Sequence, residues 1–125
     1  MGGADLALLA YGALVLFIVL DVTVEAVVML LMKYNPAKKA FLDSFVVNIV
    51  SLVAGVLLFS IAGDIHRLVT SAVLNWFLLY AMTVVIEFLL LYLLNRKKQT
   101  GKTFLTCTAM NIVSYLILIL VGVGR

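Results

Sequence analysis

LVTSAVLNWFLLYAMTVVIEFLLLYLL, residues 68–94, carries a single charged side chain, Glu87. A bilayer core is crossed by ~20 apolar residues in helical form. Backbone groups in hydrocarbon must bond within their own segment, so a run this long reads as a transmembrane helix. It is too long and too uniformly apolar for a barrel strand. Three further runs of the same kind lie outward from it, at about 6–32, 41–62 and 103–123. Together they use nearly all of the 125 residues, 66% of which are hydrophobic and 12% charged. A soluble domain holds about 25% charged residues. The expected fold is therefore an all-α integral membrane protein, a single membrane domain over 1–125 with four transmembrane helices and no soluble domain.

The connections are short and strongly biased in charge. Lys33, Lys38 and Lys39 flank the first, and Arg96, Lys97, Lys98 and Lys102 flank the third. Of the nine basic residues only Arg67 and Arg125 fall on the other side. The positive-inside rule puts the first and third connections in the cytoplasm and both termini on the non-cytoplasmic side. A +3 net charge made of loop flanks reports topology, so no nucleic-acid partner is expected. The start, Met1-Gly-Gly-Ala-Asp5, lacks the basic region of a secretory signal. Asn35-Pro36 is expected to end the first helix, because proline lacks a donor and disfavours helix before it. Gly63-Asp64 turns the chain, and Gln99-Thr100-Gly101 precedes the last helix. Tyr34, Trp76, Phe77 and Tyr92 lie near helix ends and read as interfacial anchors. Met29, Met32 and Met82 read as bundle packing.

Residues 39–51 (KAFLDSFVVNIVS) and 102–114 (KTFLTCTAMNIVS) share Lys, Phe, Leu, Asn, Ile, Val and Ser at matched positions. The preceding helices align too, Val22-Thr-Val-Glu25 on Val84-Val-Ile-Glu87. The chain thus reads as one hairpin used twice, about 6–62 and about 68–123. Two helices per copy give parallel hairpins related by a pseudo-twofold axis along the membrane normal.

That repeat places polar residues deep in the spans. Glu25 precedes Lys33 by eight positions and Asn48 follows Lys39 by nine. At ~1.5 Å rise per residue both lie roughly 12–14 Å inward from the basic flank. Glu87 and Asn111 repeat the geometry. Ser44, Asn48, Ser51 and Gly55 form one helical stripe, and Cys107, Asn111, Ser114 and Leu118 the matching one. Asp21 and Glu25 share a face, with Thr83 in the place of Asp21 in the second copy. Inserting a charged carboxylate mid-helix costs about 2.5–3.5 kcal/mol, and an interhelical hydrogen bond returns only about 0.6–2 kcal/mol. Helix adhesion alone does not offset three such acids. No basic residue lies deep in any span, so the acids are suited to a proton, a metal cation or an organic cation. As a purely structural pair, a neutral Glu would donate to an Asn carbonyl.

Other chemistry is thinly represented. One cysteine, Cys107, and one histidine, His66, make a His/Cys metal cluster or a haem site unlikely on composition, and no cofactor is expected. No nucleophile–base–orienter set or phosphate loop is present, which argues against an enzyme and leaves no catalytic residue to name. His66 reads as a solvated loop residue, Asp43 as an exposed acid in the first turn of its helix, and Cys107 as a small interior residue.

The stretch from Glu25 to Leu31-Met32-Lys33-Tyr34 resembles the first helix of small multidrug-resistance transporters, four-helix proteins of similar length with a membrane glutamate. The resemblance implies a transporter that works as a dimer. A second glutamate at 87, the duplication and the charge bias depart from that pattern. The expectation is a small cation- or proton-coupled transporter or channel. Glu25 and Glu87 would titrate or coordinate, Asn48, Asn111, Ser51 and Ser114 would orient them, and Asp21 would sit on the outward path. Four helices of this length are expected to pack a filled interior, with any pathway between subunits of a homo-oligomer. The alternative is a non-catalytic transmembrane subunit whose acids meet a partner membrane subunit. In either case the bilayer is the main partner.

Overall fold

A computed structural model describes residues 2–61 and 72–123. It holds four helices, α1 (Gly3–Leu31), α2 (Ala37–Ile61), α3 (Ala72–Leu94) and α4 (Thr100–Val123), and no strand among the described residues. Gly63-Asp64, His66, Arg67, Arg125 and the side chain of Trp76 lie outside what is described. Three helices are long and apolar enough to cross a membrane: α1, Ala37–Leu58 of α2 and Thr100–Val121 of α4. α3 adds the shorter apolar segment Tyr80–Leu94.

Each helix packs against its two neighbours in a ring, α1 on α2, α2 on α3, α3 on α4 and α4 on α1, with no diagonal pair of backbones packed together among the described residues. Burial is concentrated toward the basic connections, on Met29, Tyr34, Ala40, Val47, Leu91, Cys107 and Met110. Elsewhere large apolar side chains face outward, with Leu8 at 73% exposure and Leu31 at 77%. Soluble monomers rarely expose contiguous apolar surface on this scale. In a bilayer the same surface meets lipid at no cost.

α1 does not run to the proline. It ends at Leu31, where Tyr34 N–H donates to the Met29 carbonyl (2.9 Å) and Lys33 N–H to that of Leu30 (3.0 Å). This reciprocal closure puts Lys33 in the left-handed region, φ 51°. Pro36 instead starts α2, its carbonyl accepting from Ala40 N–H at 2.8 Å. Similarly, Thr100 and Gly101 fall inside the first turn of α4. A side chain in the left-handed conformation costs about 1–2 kcal/mol that glycine avoids. Lys33→Gly is therefore expected to raise stability by about 1 kcal/mol, read as a higher melting temperature in detergent. A lower one would mean that the Lys33 side chain contributes more than its backbone costs.

One surface assignment and one interior assignment are overturned. Tyr34 is not an interfacial anchor but fully buried, its hydroxyl 2.8 Å from Thr103 Oγ1. Met82 is 43% exposed and faces outward, whereas Met29 is buried. Phe77 and Tyr92 are exposed on the surface. Stacked rings join α3 to α4, with Tyr80 edge-on to Tyr115 at 5.2 Å and Phe88 to Phe104 at 5.6 Å.

Candidate functional site: an acidic cavity inside one chain

The two hairpins make the same hydrogen bonds with corresponding residues. In the first, Asn48 Nδ2 donates to Glu25 Oε2 at 2.6 Å and to the Ser44 carbonyl at 2.9 Å. In the second, Asn111 Nδ2 donates to Glu87 Oε2 at 2.6 Å and to the Cys107 carbonyl at 3.0 Å. Ser44 Oγ lies 3.1 Å from the Val22 carbonyl, and Cys107 Sγ lies 3.5 Å from that of Val84. Cys107 is buried, as its place in the stripe requires. A carbonyl can only accept, so the backbone bond fixes which end of each amide faces the glutamate. The asparagines donate and the glutamates accept. This reverses the expected direction, a neutral Glu donating to an Asn carbonyl.

Glu25 and Glu87 are 1% and 2% exposed, yet both border a partly open cavity of about 950 Å³ lined by residues of all four helices. Asp21, Asn48, Ser51, Asn111 and Ser114 border it as well, so all seven residues singled out in the sequence meet in one space. The expectation of a filled interior is wrong. Helices packed in a ring with no diagonal packing of backbones leave the centre to side chains, and Ser51, Gly55 and Ser114 are too small to fill it. The space is lined by one chain. Glu25 and Glu87 are close enough to each other and to Asp21 for their charges to interact. Among the described residues no basic side chain borders the cavity. Among the described residues the one salt bridge is Lys39–Asp43, at 2.8 Å.

No protein-family model matches this chain, and no curated protein or solved structure does either. Its chemistry must be read from its own residues.

Toward the basic end, beyond the acids, a set of buried hydrogen bonds forms a polar lock between the connections and the helix ends. Asp43, 3% exposed, accepts from Asn35 Nδ2 (2.8 Å), Asn95 Nδ2 (2.9 Å) and Lys39 Nζ (2.8 Å). It is thus not the exposed helix-start acid that its position four residues after Lys39 suggests. Thr103 Oγ1 donates to the Gln99 carbonyl, which leaves the Tyr34 hydroxyl to donate to Thr103. Lys98 caps the Tyr34 carbonyl and sits 5.4 Å from its ring centre. These bonds join the first connection to α2, to α4 and to the connection that follows α3. Sequence does not mark Asn35, Asn95, Thr103 and Asp43 as a group: the first three stand beside a proline or a basic residue and read as loop flanks, and Asp43 reads as an exposed acid four residues after Lys39. The cavity extends the other way, past Phe17, Leu52 and Val56 to Leu14, Ser60 and Ile119.

Proposed function

We propose that this chain is a four-span membrane protein of two parallel, pseudo-twofold-related hairpins that transports protons or other small cations through its own interior. The observation that carries the reading is the meeting of Glu25 and Glu87 in one cavity that no basic residue borders among the described residues. Intramembrane acids are costly, and those left without a counter-charge are suited to a mobile cation. The matched Glu–Asn bonds of the two hairpins support the duplication and the symmetry axis. The lock at one end favours a transporter over an open channel, since a transporter opens its two ends in turn. The cytoplasm would lie on the lock side, with both termini opposite. The subunit alternative needs acids directed at a partner, whereas here they are bonded inside one chain.

The test is flux in vesicles. With purified protein reconstituted under a proton gradient, and separately a sodium gradient, Glu25→Gln/Glu87→Gln is expected to lower protein-dependent flux about tenfold or more without lowering the melting temperature. Equal flux from the double variant and the native chain would overturn the reading.

A further inference from the structure

We propose that an anionic phospholipid docks in the outer seam between α1 and α4, its phosphate held by Lys33 and Lys102 and one acyl chain laid along Leu31, Val27, Val24 and Leu20. The site lies on the lipid-facing surface and is independent of what crosses the cavity.

The first observation is unbalanced charge. Seven basic residues flank the first and third connections. Among the described residues only Lys39 has a carboxylate partner, Asp43. Lys33, Lys38, Arg96, Lys97, Lys98 and Lys102 share that end of the bundle without an ion pair among the described residues. A leaflet that carries anionic headgroups supplies the missing charge.

The second is a difference between the hairpins. Lys39 and Lys102 stand at matched positions, and so do Asp43 and Thr106. In the first hairpin Asp43 holds Lys39 at 2.8 Å. In the second, Thr106 is buried and donates its hydroxyl to the Lys102 carbonyl at 2.8 Å, so it offers that ammonium no charge. Lys102 Nζ donates instead to the Lys33 carbonyl, at 3.3 Å. An ammonium has three donors, so this contact leaves two. Lys33 and Lys102 are both exposed, and the contact puts them at one corner, where α1 has ended and α4 begins. The corresponding corner, at the start of α2, is neutralised from within by Asp43. This one is left for an anion from outside.

The third is the surface that runs from this corner. Leu20, Val24, Val27 and Leu31 are spaced four, three and four, which is one face of α1. Leu20, Val27 and Leu31 are exposed. Leu20 and Val24 also line a shallow groove with Ile117 and Leu118 of α4, so the stripe follows the α1/α4 seam. Leu20 precedes Leu31 by eleven residues, about 16 Å of helix at ~1.5 Å per residue. One leaflet contributes about half of a ~30 Å hydrocarbon core. A chain anchored by its phosphate at the corner therefore ends in the groove. A soluble phosphate ester has the same charge and no use for this stripe, which is why the occupant is a lipid.

The fourth is the backbone of Lys33. It holds a left-handed conformation, φ 51°, that glycine adopts without cost. Strained residues of this kind concentrate at ligand contacts. A lysine here gives up stability and places a charge at the corner.

The experiment is native mass spectrometry of the full chain in detergent, with equimolar phosphatidylglycerol and phosphatidylcholine of the same acyl chains. The first bound lipid is expected to be phosphatidylglycerol by about tenfold, a factor worth ~1.4 kcal/mol. Lys33→Gly/Lys102→Gln is expected to abolish that preference, and Lys102→Gln alone, an exposed change, serves if the double variant fails to fold. Lys38→Gln/Lys97→Gln, which removes two charges from the same end, is expected to keep it. Ile117→Phe, which narrows the groove and leaves the charges alone, is expected to weaken lipid binding severalfold. Equal binding of the two lipids by the native chain would overturn the proposal. Equal losses from the two double variants would reduce the effect to net charge and overturn the site. Displacement of the lipid by water-soluble glycerophosphate at matched concentration would make this a soluble-anion site and overturn the lipid assignment. Native affinity in Ile117→Phe would overturn the seating of the chain in the seam. Bound lipid is counted without any flux, so this proposal and the transport reading fall separately.

Discussion

Asp43→Ala is expected to lose about 2–4 kcal/mol of stability, the largest loss for any substitution outside the cavity. Two buried amides, Asn35 Nδ2 and Asn95 Nδ2, end on the same Asp43 oxygen. Removing that oxygen leaves Asn35 Nδ2 stranded, at about 1–3 kcal/mol for an unpaired buried group, and takes one of the two acceptors of Asn95 Nδ2, which keeps the Leu91 carbonyl at 3.1 Å. The Lys39 contact adds little, because that side chain is 41% exposed and turns to solvent when released. Asp43→Asn separates these contributions. An asparagine oxygen in the same place still accepts from both amides and forfeits only the ion pair, so its loss should stay within about 1 kcal/mol. Melting temperatures of the two variants in one detergent make the comparison. Asp43→Ala as stable as the native chain would show that the lock does not hold the helix ends together.

Much of this architecture is legible in the sequence because composition and repetition report it directly. Apolar runs of this length fix helix number and extent to within a few residues. The Glu–Asn pairing is legible because it is written twice: Asn48 and Asn111 stand at matched positions, and so do Glu25 and Glu87. The cavity is not legible. Leu52 and Leu118, which line it, are the same residue type as Leu57 and Leu120, which face outward. Which leucines border a void depends on how the helices diverge, a property of packing that residue type does not encode. The lock is hidden for another reason. Asp43 four residues after Lys39 has the spacing of an exposed ion pair. Only the fold brings Asn95, 52 positions along the chain, to the same oxygen.

A cysteine placed at Ser51 should react with a membrane-impermeant cationic thiol reagent from one side of the membrane only. Ser51 borders the cavity next to the acids, and between it and the basic end stand Asp43, Tyr34 and their partners. A small cation coming from the opposite end passes Leu14, Val56 and Ile119 before it reaches the acids. The background for the test is Cys107→Ser, which removes the single native thiol and installs the residue that Ser44 provides in the first hairpin. If opening the lock costs about 3 kcal/mol, the cysteine is reached through the basic end about a hundredfold more slowly than through the other. Labelling rates in intact cells and in inverted vesicles give that ratio and its sign. Faster labelling in intact cells places the lock on the cytoplasmic side, as the basic flanks require. The reverse sign would invert the topology while leaving the cavity intact. Equal rates would mean that the lock opens freely. Adding Asp43→Ala to the same background joins the two expectations, because the energy removed from the lock should return as faster labelling from the basic side. A stability loss with no change in that rate would make Asp43 a structural brace and put the barrier deeper, at the Glu–Asn pairs themselves.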